Sequence, residues 1–398
     1  MEIDSSNRAE VLERRRERME ALAQTGRATG MGNLLRKFWH PVAVADQIAV
    51  GKGMPIQIMG EELTLYRGAS GTPYLVAGRC AHRLTLLHTG WIEGENIRCM
   101  YHGWQYNGSG KCVNQPGERD PLNNRVSIRS YPAREYGGLV FAYLGEGEAP
   151  SFDLIRRSEV EAEGALVFAR AEEWPCNWLQ HIENSLDAVH VSFAHQTGKV
   201  GVFGDAITMD VPELKYSETD SGICQLAIRP GDRVRVSDWT FPNCNRVLIP
   251  GLAPEHPNFV VNHWMVPHDD FRASRIAMIT TQSTNPETDK RIADYFAGCR
   301  HYNAADHHAA LFRGEYPTDP LIELTSAQDY VALIGQGKIA DRTNEWLGAS
   351  DAGVVRLRSI LAREMEEVRQ GRAGKMWRRP DDGLQLTDGA VGQAVEPA

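Results

Sequence analysis

Two short segments constrain this chain more than any others: Cys80-Ala-His82 and, after a hairpin-sized interval, Cys99-Met-Tyr-His102-Gly-Trp104. Each loop offers one thiol and one imidazole. Together they form the ligand set of a 2Fe-2S cluster with two cysteines on one iron and two histidines on the other, a set that raises the reduction potential above that of an all-cysteine cluster. A structural zinc ion takes the same four donors, but zinc sites usually pair Cys with Cys and His with His along the chain, which favours the iron–sulfur reading. Trp104, the Gly108-Ser-Gly110 turn and Pro116 would close over such a cluster. His88 and Cys112 lie close in sequence but belong to neither paired loop, and both read as structural. The seven cysteines are too few and too scattered for a disulfide framework and fit reduced thiols or metal ligands.

Around these loops the pattern is β-rich. Runs at 55–59, 63–66, 74–77 and 138–144, separated by turns such as Gly68-Ala-Ser-Gly71, predict a small antiparallel β unit. Ahead of it, 9–28 reads as a surface helix whose run Glu13-Arg-Arg-Arg-Glu-Arg18 is a solvated face. The charged stretch 152–164 reads as a connection, which sets a first unit over 1–150, a second over 151–370 and a tail over 371–398. The second unit mixes helical patterns (174–190, 289–311) with strands (224–230, 233–241, 259–267, 275–281). It closes in an amphipathic helix over 351–370, where Val354, Leu357, Leu361, Met365 and Val368 recur at helical spacing. The fold class is α+β.

Composition narrows the partners. With 398 residues, 42% of them hydrophobic, the chain can bury a sizeable core. Its net charge of -9 disfavours nucleic acid. No apolar run approaches the roughly 20 residues of a membrane helix, and Met1-Glu-Ile-Asp has neither a basic nor an apolar leader region, so a cytoplasmic protein is expected.

A second constellation lies in the later unit: Asp187, His190 and His195, at spacings of three and five. Asp187 and His190 share a helical face, roughly 60° apart, but His190 and His195 would be roughly 140° apart in a straight helix, so a break near 191–194 is required if both bind one ion. Standing alone, the segment reads as unrelated buried histidines; beside the first motif it reads as part of a metal site. Two histidines and a carboxylate on one face of an iron leave positions open for dioxygen. Spacing alone cannot select the carboxylate among 52 acidic residues, and Asp351 by itself reads as an N-terminal residue of the last helix. His181 and the His307-His308 pair read as structural or solvent-facing.

The run C-x-H-R followed by C-x-x-H-G-W, with Met31-Gly-Asn-Leu-Leu-Arg-Lys-Phe-Trp-His-Pro41 upstream, resembles the oxygenase component of Rieske non-haem iron ring-hydroxylating enzymes, nearest their phthalate dioxygenase-like branch. The likeness covers most of 31–370. One departure stands out: the family commonly reads C-P-H-R-G-A, whereas this chain has Cys80-Ala-His-Arg-Leu-Thr85. The resemblance implies a Rieske domain holding its cluster through Cys80, His82, Cys99 and His102, followed by a helix-grip catalytic domain. It implies an iron held by His190, His195 and Asp351, the last taken from the similarity of the segment 328–351. It also implies that Asp187 is not a ligand but bridges His102 of one subunit and His190 of its neighbour, hence a homotrimer or a dimer of trimers.

Hydroxylation by dioxygen needs two external electrons. No Gly-rich dinucleotide fingerprint is present, so NADH would be oxidised by a separate flavin and iron–sulfur reductase, with or without a ferredoxin. The leading reading is ring dihydroxylation of an aromatic substrate. The alternatives are a monooxygenase acting as an O- or N-demethylase, an electron-transfer protein without catalysis, and a zinc-stabilised binding protein. Arg229, Arg233 and Arg235 are candidates for recognising a substrate carboxylate, with a solvated strand face as the competing reading. Phe193, Phe203, Trp239 and Trp264 would line a pocket or pack the core.

Overall fold

The computed structural model describes residues 5–122, 125–196, 210–231, 233–253, 255–299, 304–317, 322–372 and 374–375. The first eleven strands are β1 (Trp39–Val44), β2 (Gly53–Ile58), β3 (Glu61–Arg67), β4 (Pro73–Ala77), β5 (Trp91–Glu93), β6 (Asn96–Arg98), β7 (Gln105–Tyr106), β8 (Cys112–Asn114), β9 (Ser130–Tyr131), β10 (Ala133–Tyr136) and β11 (Leu139–Tyr143). They form three antiparallel sheets, ordered β1-β11-β10, β2-β3-β4-β9 and β5-β6-β7-β8.

β3 joins two cores by alternation. Leu63 and Leu65 enter the main core, while Tyr66 enters a smaller one with Val76, Leu87, Ile97, Trp104, Tyr106 and the two cysteines Cys80 and Cys99. All five residues of β11 are buried. At roughly 1.5–3 kcal/mol for each fully buried large apolar side chain, that strand anchors the unit.

The later unit is one seven-stranded antiparallel sheet, ordered β12-β18-β17-β16-β15-β14-β13. Its strands are β12 (Ala165–Trp174), β13 (Glu213–Glu218), β14 (Gly222–Arg229), β15 (Arg233–Thr240), β16 (Cys244–Ile249), β17 (Phe259–Pro267) and β18 (Ala273–Gln282). The helix Ala352–Arg369 lays Leu357, Ile360 and Leu361 into the core that holds Ile223 and Trp239, which completes the sheet-and-helix arrangement. Leu22, Met31, Leu34 and Leu35 of the helices Ser5–Ala23 and Gly30–Leu35 share that core, so the N-terminal helices are packed with the second unit's last helix although they precede the first unit in sequence.

Strands match their sequence signals within a few residues; helices differ more. β12 continues to Trp174, so the helix expected over 174–190 is confined to Trp178–Ser185. The pattern over 289–311 resolves into Pro286–Cys299 and Ala305–Phe312, and a further helix spans Ile322–Ile334. Most of the tail 371–398 lies outside the described residues. Among the described residues no helix is long and apolar enough to cross a membrane.

His40 stitches the two units together. Its Nε2–H donates to the Leu35 carbonyl at 2.7 Å, and its Nδ1 accepts from Asn243 Nδ2 at 3.2 Å. Burial pulls this imidazole down to about 4, so it sits neutral in the interior.

Candidate metal centres

The two Cys/His loops are near-copies of one another. Cys80 N–H donates to Thr85 C=O at 2.9 Å while Leu84 N–H donates to Cys80 C=O at 3.0 Å; Cys99 N–H donates to Trp104 C=O at 2.9 Å while Gly103 N–H donates to Cys99 C=O at 3.1 Å. Both loops need a left-handed residue four positions after the cysteine, supplied by Gly103 (φ 72°) and by Leu84 (φ 61°). Leu84 occupies the place where the resemblance leads one to expect glycine. The loop keeps its shape at a cost of about 1 kcal/mol, and the leucine side chain is 64% exposed.

Between the loops, the His82 and His102 rings stand 4.5 Å apart, and His82 stacks on Trp104 at 4.7 Å and 5°. His82 Nδ1 is buried with no hydrogen-bond partner among the described residues. Burial pushes the Cys99 thiol up, reinforced by neighbouring Cys80. Two adjacent buried thiols and an imidazole nitrogen without another partner make a donor set for a cation, so the residues fit a 2Fe-2S cluster. The Tyr106 hydroxyl lies 3.2 Å from Cys80 Sγ. Pro116 packs over Gly103, where an added Cβ would fall 2.9 Å from its Cγ, as expected of a residue closing the site. Cys112 is buried and bonds weakly to its own strand, consistent with its structural reading.

In the second unit the chain breaks before His190 rather than within 191–194. The helix Trp178–Ser185 is capped by Asn177, whose side chain accepts from Leu179 N–H, and it ends at Leu186. The Leu186 carbonyl accepts from Tyr216 Oη and Gln225 Nε2 of the sheet, at 3.0 and 2.7 Å. Asp187 Oδ1 then accepts from the N–H groups of Val189 and His190 and starts the short helix His190–Ala194. His195 leaves that helix at its C-terminal cap, so the straight-helix angle does not apply and the two rings meet at 5.3 Å and 80°.

The carboxylate that meets them is Asp329, not Asp351. Asp329 Oδ1 lies 3.5 Å from His190 Nε2 and 3.3 Å from His195 Nε2. His190, His195 and Asp329 form the one group of three possible metal ligands found among the described residues. Asp351 instead stands at the start of the last helix without a side-chain bond to it, and its Oδ2 accepts from Gly348 N–H at 2.6 Å, closing the short turn that leads in. A sequence signal for Asp329 existed: it is the lone charge in the apolar stretch 327–334 of a helix.

Asp329 Oδ1 is buried without a hydrogen-bond partner among the described residues, and burial's upward push on its pKa is outweighed by His195, His190 and Arg275, which hold it far below the usual carboxylate range. His195 Nδ1–H donates to Gln328 Oε1 at 3.0 Å, which leaves Nε2 as a lone-pair donor. The donor set fits a mononuclear iron of the two-histidine, one-carboxylate kind. His181 contacts Cys176 Sγ at 3.4 Å and lies against Trp174, and His308 stacks on Tyr330 at 3.8 Å, so neither joins the group.

A cavity of about 170 Å³ lies over this group, walled by Val261, Phe259, Ile279 and Phe296. Of the proposed pocket aromatics, Trp239 and Trp264 are in the core, Phe193 is 64% exposed, and Phe203 lies outside the described residues. Three arginines line the cavity: Arg170, Arg235 and Arg275. Arg170 and Arg275 both pair with Glu172. Arg235 Nε is buried and bonds to nothing among the described residues, and burial, aided by Arg229, lowers this guanidinium to about 10, still charged at neutral pH. Arg229 donates to the Asp210 carbonyl at 3.1 Å, and the side chain of Arg233 lies outside the described residues.

Residues 38–132 match the model of the Rieske [2Fe-2S] domain. The 5,5'-dehydrodivanillate O-demethylase oxygenase subunit of Sphingobium sp. is 31% identical over 370 residues, 89% of this chain and 81% of that one. The chain belongs to the Rieske non-haem iron oxygenases. The phenoxybenzoate dioxygenase subunit alpha of Ectopseudomonas oleovorans is 30% identical, covering 88% of this chain and 85% of its own. The terminal oxygenase of carbazole 1,9a-dioxygenase from Novosphingobium sp. KA1 shares the fold with a TM-score of 0.65 at 18% identity, over 94% of this chain and 100% of that one. As a Rieske oxygenase, the protein is the oxygenase component of a multicomponent oxidoreductase, with a Rieske cluster domain and a His/His/Asp site for mononuclear iron.

Proposed function

We propose that this Rieske oxygenase hydroxylates an aromatic carboxylate, with ring dihydroxylation as its leading outcome. The observation that carries the substrate class is Arg235, whose buried Nε has no hydrogen-bond partner among the described residues, in the cavity that also exposes His190, His195 and Asp329. Arg170 and Arg275 are already engaged by Glu172, which leaves Arg235 to pair with a carboxylate through two parallel N–H donors. O-demethylation is the second reading, favoured by the Sphingobium relative's name.

In this reading Cys80, His82, Cys99 and His102 hold the cluster, and His190, His195 and Asp329 hold the iron. When bound, the cluster supplies single electrons and the ferrous iron a binding position for dioxygen. Arg235 fixes the substrate's carboxylate and so the position of its ring over the metal side. Phe259, Val261 and Phe296 exclude water from the ring. Asp187 links the partner subunit's His102 to His190 within a homotrimer or a dimer of trimers. That role is supported by the exposure of His102 and of Leu84, Met100 and Tyr101 around it, an apolar face suited to burial. Electrons from NADH arrive through a separate flavin and iron–sulfur reductase, with or without a ferredoxin. The reduced thiols of the cluster site fit a cytoplasmic setting.

Iron and acid-labile sulfide analysis with electron paramagnetic resonance tests the metal assignment, with three irons, two sulfides and a Rieske signal per chain expected. Zinc without sulfide would end the oxygenase reading. A screen of benzoates against their amides, read as substrate-dependent dioxygen uptake, tests the substrate class; equal response to both would overturn the role of Arg235.

A further inference from the structure

The two oxygens of Asp329 live in different surroundings. Oδ1 faces the Nε2 atoms of His190 and His195 and has no hydrogen-bond donor among the described residues. Oδ2 lies 3.8 Å from Arg275 Nη1, an ion pair rather than a hydrogen bond.

Arg275 is in turn firmly placed. Its Nη2 donates to Glu172 Oε2 at 3.0 Å and contacts Ser326 Oγ, and Ser326 Oγ donates to the same Glu172 oxygen at 2.8 Å, which closes a triangle. The guanidinium lies over the Trp174 ring, 4.8 Å from its centroid. Ser326 and Asp329 sit on the helix Ile322–Ile334, Arg275 on β18, and Glu172 and Trp174 on β12. The arginine therefore ties the helix that carries the carboxylate to the two strands at one edge of the sheet.

We propose that Arg275 is a positioning residue that holds Asp329 Oδ2, so that the carboxylate offers the metal Oδ1 alone. A carboxylate bound through one oxygen leaves one more position at the metal than a carboxylate bound through two. Arg275 thus preserves room beside the metal for a second small molecule, and its charge moderates the pull of the carboxylate on the cation. Glu172 makes this possible by compensating the arginine without reaching the metal ligands. The inference rests on the assignment of His190, His195 and Asp329 as metal ligands.

The test is the crystal structure of the iron-loaded holoprotein, wild type and Arg275→Gln, with ferrous-ion affinity measured by chelator competition. In the wild type, Oδ1 is expected within bonding distance of the ion and Oδ2 beyond it. In Arg275→Gln both oxygens are expected to bond, and ferrous iron to bind about tenfold more tightly, because a like charge near the cation has gone. A merely structural arginine would give the opposite sign, looser binding after its removal. Arg275→Lys, which keeps the charge, is expected to retain one-oxygen binding. If Arg275→Gln does not fold, the wild-type structure decides: an Asp329 bound through both oxygens overturns this inference while leaving the ligand assignment intact. An ion bound elsewhere overturns both.

Discussion

Asp187 Oδ1 accepts from the backbone N–H of His190 at 3.2 Å, while Asp187 Oδ2 stands 3.9 Å from His190 Nδ1. One carboxylate thus starts the helix that carries a metal-ligand candidate and faces the far side of its imidazole. His190 Nδ1 is buried and has no hydrogen-bond partner among the described residues, so Asp187 is the described polar group best placed to orient that ring.

The two jobs of Asp187 separate by substitution. Asp187→Asn keeps the side-chain oxygen that accepts from Val189 and His190 N–H and removes the charge, so both metals should remain while single-turnover electron transfer slows roughly 10–100-fold. Asp187→Ala should also lose these two turn hydrogen bonds, about 1 kcal/mol of stability. Rapid-mixing kinetics of the reduced enzyme, with metal analysis, reads both effects; wild-type rates in the asparagine variant would remove Asp187 from the electron path.

Asp329 and Asp351 make a direct comparison. Asp329→Asn should empty the mononuclear site and leave the cluster spectrum unchanged, whereas Asp351→Asn should keep both metals and cost at most about 1 kcal/mol through a weaker hydrogen bond from Gly348 N–H. Iron content per chain distinguishes them. Iron loss in the Asp351 variant alone would restore it as the ligand.

Arg235→Gln removes the charge from the cavity. A guanidinium–carboxylate contact is worth about 1.5–3 kcal/mol, so KM for a carboxylated substrate should rise roughly 10–100-fold, with little change for a neutral analogue. Steady-state dioxygen uptake on the matched pair of substrates provides the check.

His40 sets an acid limit on stability. Its folded value of about 4 lies below the ordinary 6.5, so the unfolded chain binds the extra proton between those values. Stability is then full above about pH 6.5 and falls as pH drops towards 4, by up to about 3 kcal/mol. Denaturant titrations between pH 7 and 4 should show this slope, and His40→Gln should flatten it.

Leu84 holds a left-handed backbone that glycine adopts without strain. Leu84→Gly should leave the melting temperature unchanged or raise it, with a gain of at most about 1 kcal/mol, since the lost side chain is mostly in solvent. A clear drop in the melting temperature of the isolated protein would mean that the leucine packs more than its exposure indicates.

The cluster loops were legible because their information is local. Each cysteine and histidine sit within three residues of each other, and turn geometry alone converges them. The same holds for the strands, whose alternation is a property of the backbone, and for the last helix. Helix ends around the iron site were not legible. The stop at Ser185 depends on Tyr216 and Gln225 reaching in from β13 and β14 to satisfy the Leu186 carbonyl.

What the sequence by itself determined is the chemistry on offer: two Cys/His loops, a D-x-x-H-x-x-x-x-H segment, and an α+β frame to carry them. Only the tertiary structure decided which carboxylate meets the two histidines. Asp351 satisfies itself locally on Gly348, while Asp329 arrives on a helix whose neighbouring Gln328 meets His195 across a separation of 133 residues. The sheet likewise decided how the arginines are used, because Glu172 engages Arg170 on its own strand and Arg275 on the next, while Arg235 Nε has no hydrogen-bond partner among the described residues. Spacing along a chain reports contacts within a turn or a hairpin; contacts between distant elements depend on how those elements pack, and a one-dimensional pattern does not encode that.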